Sequence, residues 1–183
     1  MLSLKYKYIF IHVPKTGGNS IKQMLKENDE SYDIDIGHDT MNKALKNHLD
    51  KIDYKKIFVI RNPYDRIISF YFYSKKCKPN EGLFNKDEFM QFLERRRSYL
   101  KTQTERVNYK GEIDKTYMIR YENFEEDFRR VMKNFGFEFG ELIKINTTTH
   151  KHYSYYYDNH MKKLIKSMFQ EDLDNFGYEF EEL

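Results

Sequence analysis

An α/β fold, built on a central, largely parallel β-sheet flanked by helices, is the class that this 183-residue sequence predicts. Three observations carry it. Short apolar runs closed by proline or asparagine alternate with stretches whose apolar residues recur at helical spacing. No Gly-, Ser- or Pro-rich linker and no internal repeat divides the chain, so residues 1–183 read as one domain with one core. The two most distinctive turns each follow a predicted strand, the end at which parallel sheets hold their ligands.

Residues 8–13 form a compact apolar run ending at Pro14, a buried-strand signal, and Ile21, Met24 and Leu25 then fall at helical spacing. YDIDI at 32–36 alternates and predicts a second strand. Met41, Ala44, Leu45, His48 and Leu49 mark one face of a helix. KIFVI at 56–60 is another strand signal, stopped by RNP, and a helix is expected from Pro63 with Ile67, Ile68, Tyr71 and Phe72 on its apolar side. Residues 80–110 are polar and aromatic and are read as helical in part. TYMIR at 116–120 predicts a strand. Phe124, Phe128, Val131, Met132 and Phe135 form a helical stripe closed by Gly136, and Met161, Leu164, Ile165, Met168 and Phe169 repeat the pattern.

Bulk composition narrows the function. A formal charge of +3, from 32 basic and 29 acidic residues, argues against a nucleic-acid binder and leaves room for a local basic pocket. Cys77 is the only cysteine, so no intrachain disulfide forms and a reducing compartment is the default. No membrane-length apolar segment and no signal-peptide pattern are present, and a cytoplasmic location is expected. The sequence does not speak to oligomeric state.

The stretch IFIHVPKTGGNS at 9–20 has the layout of an anion-binding loop. Gly17 and Gly18 let backbone amides approach an oxyanion, and the helix that follows adds free N–H groups and a positive dipole end. Lys15 brings a full charge; Thr16, Asn19 and Ser20 bring side-chain donors. The nucleotide-triphosphatase pattern G-x-x-x-x-G-K-[ST] fails here, because Lys15 precedes both glycines and Val13 stands where the first glycine belongs. A strand-to-helix turn using glycine for geometry alone stays open. In VIRNPYDRIISFYFY at 59–73, Arg61 ends a strand and can grip a phosphate with its planar fork, and Ser69 can add a hydroxyl from the next helix. The alternative there is an Arg61–Asp65 ion pair with Ser69 as packing.

Taken together, PKTGGNS after a first strand and RNPYDRIISFY after a later one resemble the sulfotransferases that use 3′-phosphoadenosine-5′-phosphosulfate (PAPS). The branch resembled includes many bacterial enzymes and the carbohydrate O-sulfotransferases. MIRYENFEEDF at 118–128, THKHYSYYYD at 149–158 and EDLDNFGYEF at 171–180 agree with it in order, so the resemblance spans nearly the whole chain. It implies a P-loop-nucleotide-hydrolase-like sulfotransferase fold, with PAPS as donor, 3′,5′-adenosine bisphosphate (PAP) as product and no metal. Carried over, Lys15, Thr16, Gly17, Gly18, Asn19 and Ser20 surround the 5′-phosphosulfate, and Arg61 and Ser69 hold the 3′-phosphate. Asn19 departs from the usual threonine.

In that chemistry Lys15 meets charge developing on the bridging oxygen, and a general base takes the acceptor's proton. His38, after the second strand, is the base the resemblance implies; Asp33 or Asp35 is the alternative. A hydrogen-bonded structural histidine is the competing reading of His38. Lys151 is implied in a loop closing over the nucleotide, and Gln103 near the acceptor. His12 and His48 read as structural or core histidines, and the H-x-H pair His150 and His152 lacks further zinc ligands. ERRRSYLK at 94–101 reads as a solvated helix face or a groove for an anionic glycan. The many Tyr and Phe rings are expected mainly in the core. The acceptor is a hydroxyl, carbohydrate favoured. A non-catalytic PAP- or nucleotide-binding module and a small-molecule kinase of P-loop-like fold are the alternatives.

Overall fold

The computed structural model describes residues 1–29, 32–34 (backbone only), 37, 39–75, 84–137 and 151–182. They form two compact units. One takes the described residues of 1–61 and 103–146, the other those of 62–102 and 147–183.

The first unit holds the sheet, of strands β1 (Leu2–Ser3), β2 (Tyr8–Ile11), β3 (Tyr32–Ile34), β4 (Lys55–Ile60) and β5 (Tyr117–Arg120), in the order β3-β1-β2-β4-β5. β2 pairs parallel with β4 and β4 with β5, whereas β1 is antiparallel to both β2 and β3. Four strands therefore share one direction and only β1 opposes them, so the sheet is mostly parallel, as the sequence predicts. Its helices are α1 (Gly18–Asn28), α2 (Met41–Asn47), α5 (Gln103–Val107) and α6 (Phe124–Lys133).

Strand alternation builds the core. Tyr8 and Phe10 of β2, Ile57 and Val59 of β4 and Ile119 of β5 share a cluster with Ile21, Met24 and Leu25 of α1 and Phe128, Val131 and Met132 of α6. Ile9, Ile11, Phe58 and Ile60, at the alternate positions, are buried as completely, which is why these strands read as continuous apolar runs. The Tyr8 hydroxyl donates to Asp29 Oδ2 at 3.0 Å, tying β2 to the residue that ends α1.

The second unit contains α3 (Pro63–Ser74), α4 (Lys86–Arg96), α7 (Asn159–Met168), α8 (Gln170–Phe176) and a 3-10 turn at Tyr153–Tyr156. Asn62 starts α3 ahead of Pro63: its Oδ1 accepts from Tyr64 N–H at 3.1 Å. Its amide donates to the Tyr153 hydroxyl and the Glu179 carbonyl, so one buried side chain caps a helix and holds the tail. Tyr71 meets Phe72, Phe84, Phe89 and Phe92 edge-on, and Tyr64 meets Tyr157 and Phe180 the same way. Such pairs add about 0.5–1.5 kcal/mol each beyond area burial, which explains where the aromatic excess goes.

Two helix boundaries differ from expectation, and one short strand was not anticipated. β1 is two residues long, too short for any periodicity to reveal. Of the strand expected at 32–36, β3 covers Tyr32–Ile34; residues 35 and 36 lie outside the described residues. α2 stops at Asn47 because His48 leaves helical geometry (φ −139°, ψ 57°), so Leu49 is 65% exposed and His48 is only half-buried rather than a core residue. Phe169 (φ −125°) breaks the C-terminal stripe, and the chain restarts as α8, a helix the apolar spacing did not separate.

Burial first, and the Asp29 carboxylate second, raise the Tyr8 phenol well above the ordinary tyrosine range. The fold keeps the neutral form, whereas unfolded tyrosine ionises near pH ~10. The stability this group contributes is therefore complete below about pH 10 and lost as pH rises beyond it. Tyr8→Phe is expected to cost roughly 1–3 kcal/mol at neutral pH and to flatten the alkaline decline; urea unfolding across pH checks both.

Candidate anion-binding site

The loop between β2 and α1 is shaped by left-handed backbones at Lys15 and Gly17 and by a side-chain bond at Thr16. Lys15 has φ 67°, an uncommon conformation for a side-chain-bearing residue. Thr16, fully buried, donates its hydroxyl to the Val13 carbonyl at 2.9 Å and so closes the turn; this places its proton on the loop itself rather than toward a ligand. Gly17 has φ 78° and serves as N-cap of α1, where no side chain caps the helix and no acidic residue occupies the first turn. That leaves the helix start suited to a bound anion. Asn19 is exposed in this first turn, and Ser20 is buried there with its N–H on the Gly17 carbonyl.

The two glycines answer different constraints. At Gly17 the backbone is left-handed, and a Cβ would also lie 3.3 Å from Cε2 of Tyr121. At Gly18 the φ is ordinary, but a Cβ would stand 2.3 Å from Cδ2 and 2.8 Å from Nε2 of His12. His12, buried at the end of β2, thus lies directly against the helix start. A side chain at position 18 would therefore have to displace this imidazole.

Arg61, immediately after β4, joins this loop. Its Nη1 donates to the Lys15 carbonyl at 3.2 Å, and its guanidinium lies 4.0 Å from the centre of the Tyr121 ring. Tyr121 therefore touches both Arg61 and the Gly17 turn. Burial, and then the like charge of Arg61, lower the Lys15 ammonium below the usual lysine range. Two cations brought together in this way favour an anion between them. The backbone of Arg61 is held as well: its N–H donates to Gln103 Oε1 at 2.9 Å, and its carbonyl accepts from Gln103 Nε2 at 2.8 Å.

Of the residues singled out by sequence, Lys15, Thr16, Gly17, Gly18, Asn19, Ser20 and Arg61 come together in the first unit. Ser69 and Lys151 belong to the second. Ser69 is buried on α3, and Lys151 Nζ lies 4.2 Å from the centre of the Tyr155 ring. His38, Asp35 and His150 lie outside the described residues, and of Asp33 only the backbone is described. His152 caps the 3-10 turn through Nδ1, which accepts from Ser154 N–H. The ERRRSYLK arginines are exposed, as a solvated helix face would be. Sequence reasoning missed Tyr121 as a contact of Arg61, although it sits in the quoted MIRYENFEEDF segment. Gln103, which the resemblance implies near the acceptor, holds the backbone of Arg61.

A family model described as the sulfotransferase family matches residues 1–179. A search of curated proteins found no match.

Gly18→Ala is expected to destabilise the chain by roughly 1–3 kcal/mol through overpacking against the imidazole. Adding His12→Ala removes the obstruction, so the double variant should lose less than the sum of the two single losses. Urea unfolding of the four proteins measures the coupling, and additive losses would show that the ring does not impose the glycine.

Proposed function

The chain belongs to the sulfotransferase family, an enzyme family whose reaction is sulfuryl transfer, and we propose that it moves the group from PAPS to a hydroxyl acceptor, with carbohydrate favoured. The observation that carries the donor assignment is the hydrogen bond from Arg61 to the Lys15 carbonyl, which unites the two motifs on one anion-seeking surface. The residues present fit such a donor: a glycine turn, an uncapped helix start and two neighbouring cations. The match over residues 1–179 supports treating 1–183 as one catalytic domain. Among the described residues no helix is long and apolar enough to cross a membrane, and the single cysteine fits the cytoplasm.

The donor supplies a sulfuryl group already activated by its phosphosulfate linkage. Gly17, Gly18, Asn19 and Ser20 hold the 5′ end with backbone and side-chain donors, Thr16 by fixing the turn. Arg61 and Ser69 bind the 3′-phosphate, and Lys151 covers the nucleotide. The acceptor oxygen forms its bond to sulfur as the bond from sulfur to the bridging oxygen breaks. Lys15 stabilises the negative charge that collects on that oxygen, and His38 takes the hydroxyl proton. Position and charge stabilisation supply the acceleration without a metal, as in phosphoryl transfer positioning does most of the work.

Calorimetric titration with PAP, using ADP and AMP as controls, tests the donor. PAP is expected to bind best, with Arg61→Ala weakening it roughly 10- to 150-fold, the loss of one charge-assisted contact of about 1.5–3 kcal/mol. Lys15→Ala should act in the same direction. A preference for ADP would favour a kinase, and PAP binding without turnover in an acceptor screen would favour a binding module.

The lowered Lys15 pKa adds a pH signature. Its charge is lost at a lower pH than that of an ordinary lysine, so PAP affinity should fall as pH rises through that depressed value. Lys15→Arg, always charged, should bind PAP with a flat alkaline limb. Equal slopes in the two proteins would remove Lys15 from the anion site.

A further inference from the structure

We infer that Gln103 is a positioning residue for recognition of the nucleotide's 3′-phosphate, acting through the backbone of Arg61; this rests on the donor reading above. Both ends of its amide serve one residue, Oε1 accepting from Arg61 N–H and Nε2 donating to the Arg61 carbonyl. That is the pairing a neighbouring strand would offer, and a strand does not offer it here. The β4 ladder to β5 ends at Ile60 with Arg120, and the ladder to β2 ends at Phe58 with Ile11. Arg61 lies just past both, and a side-chain amide takes over where the sheet stops.

The need for such a clamp follows from what Arg61 carries. Its guanidinium sits at the end of a long side chain, against Tyr121 and the Lys15 carbonyl, and any backbone rotation is magnified there. Loss of a well-placed charge-assisted contact costs on the order of 10-fold or more in affinity. Gln103 is 0% exposed and Arg61 5%, so water does not substitute freely for the lost bonds. The residue type is also constrained. Asparagine is shorter, glutamate sets a second oxygen against the Arg61 carbonyl, and methionine of similar shape makes neither bond.

The test reads the ratio of AMP to PAP dissociation constants, which isolates the 3′-phosphate. It is measured by calorimetry for the wild type, Gln103→Glu, Gln103→Met, Arg61→Ala and Gln103→Glu combined with Arg61→Ala, each below its melting temperature. Gln103→Glu and Gln103→Met should lower the ratio about 10-fold while AMP affinity stays within about twofold. Gln103→Glu should add nothing once Arg61 is alanine. Its ratio should also recover at acidic pH, where the introduced carboxyl regains a proton to donate. If the ratio is unchanged in both Gln103 variants, or if PAP and AMP weaken together, the inference is overturned while the donor reading stands. A wild type that does not prefer PAP to AMP overturns the donor reading, and this inference with it.

Discussion

The hydrogen bond from Arg61 Nη1 to the Lys15 carbonyl is the contact around which the candidate site is organised. It reaches from the end of one parallel strand to the loop that follows its neighbour, and it seizes the loop at its least comfortable residue. Lys15 adopts a left-handed backbone that costs on the order of 1 kcal/mol or more, and a bond to its own carbonyl helps to hold it there. The same contact brings a guanidinium near an ammonium, and burial together with that like charge disfavours the charged form of Lys15. Parallel pairing of β2 with β4 sets the two strand ends side by side and makes this approach possible.

Side-chain amides recur where regular backbone pairing ends. Gln103 takes the backbone of Arg61 beyond the β4 ladder, and in the second unit Asn62 caps α3 while its amide donates to the tail and to Tyr153. Both amides are buried, and both can donate and accept at once, which is what a strand end or a helix start demands. Neighbouring positions 61 and 62 thus mark the change from sheet to helix, one serving the first unit and the other the second.

Much of this was legible along the chain. β2 and the second half of β4 are buried on both faces, so their apolar runs stand out without alternation. α6 shows its stripe because only one side is buried. Lys15, Gly17, Gly18 and Arg61 were legible as chemistry, since each residue type is unusual at a strand end. Less legible were the short β1, the break at His48 and the restart at Phe169. Those boundaries depend on single backbone dihedrals that several residue types accept equally well.

By itself, the sequence determined the fold class and the family, and it drew attention to the candidate anion-site residues, because periodicity and the two motifs are local properties of the chain. Only the tertiary structure decided how those residues are held. The imidazole of His12 beneath Gly18, the ring of Tyr121 against Arg61 and the amide of Gln103 on its backbone join positions from 6 to 60 residues apart. Such contacts arise from packing between elements, and no local pattern in the chain encodes the distance between a side chain and a distant backbone.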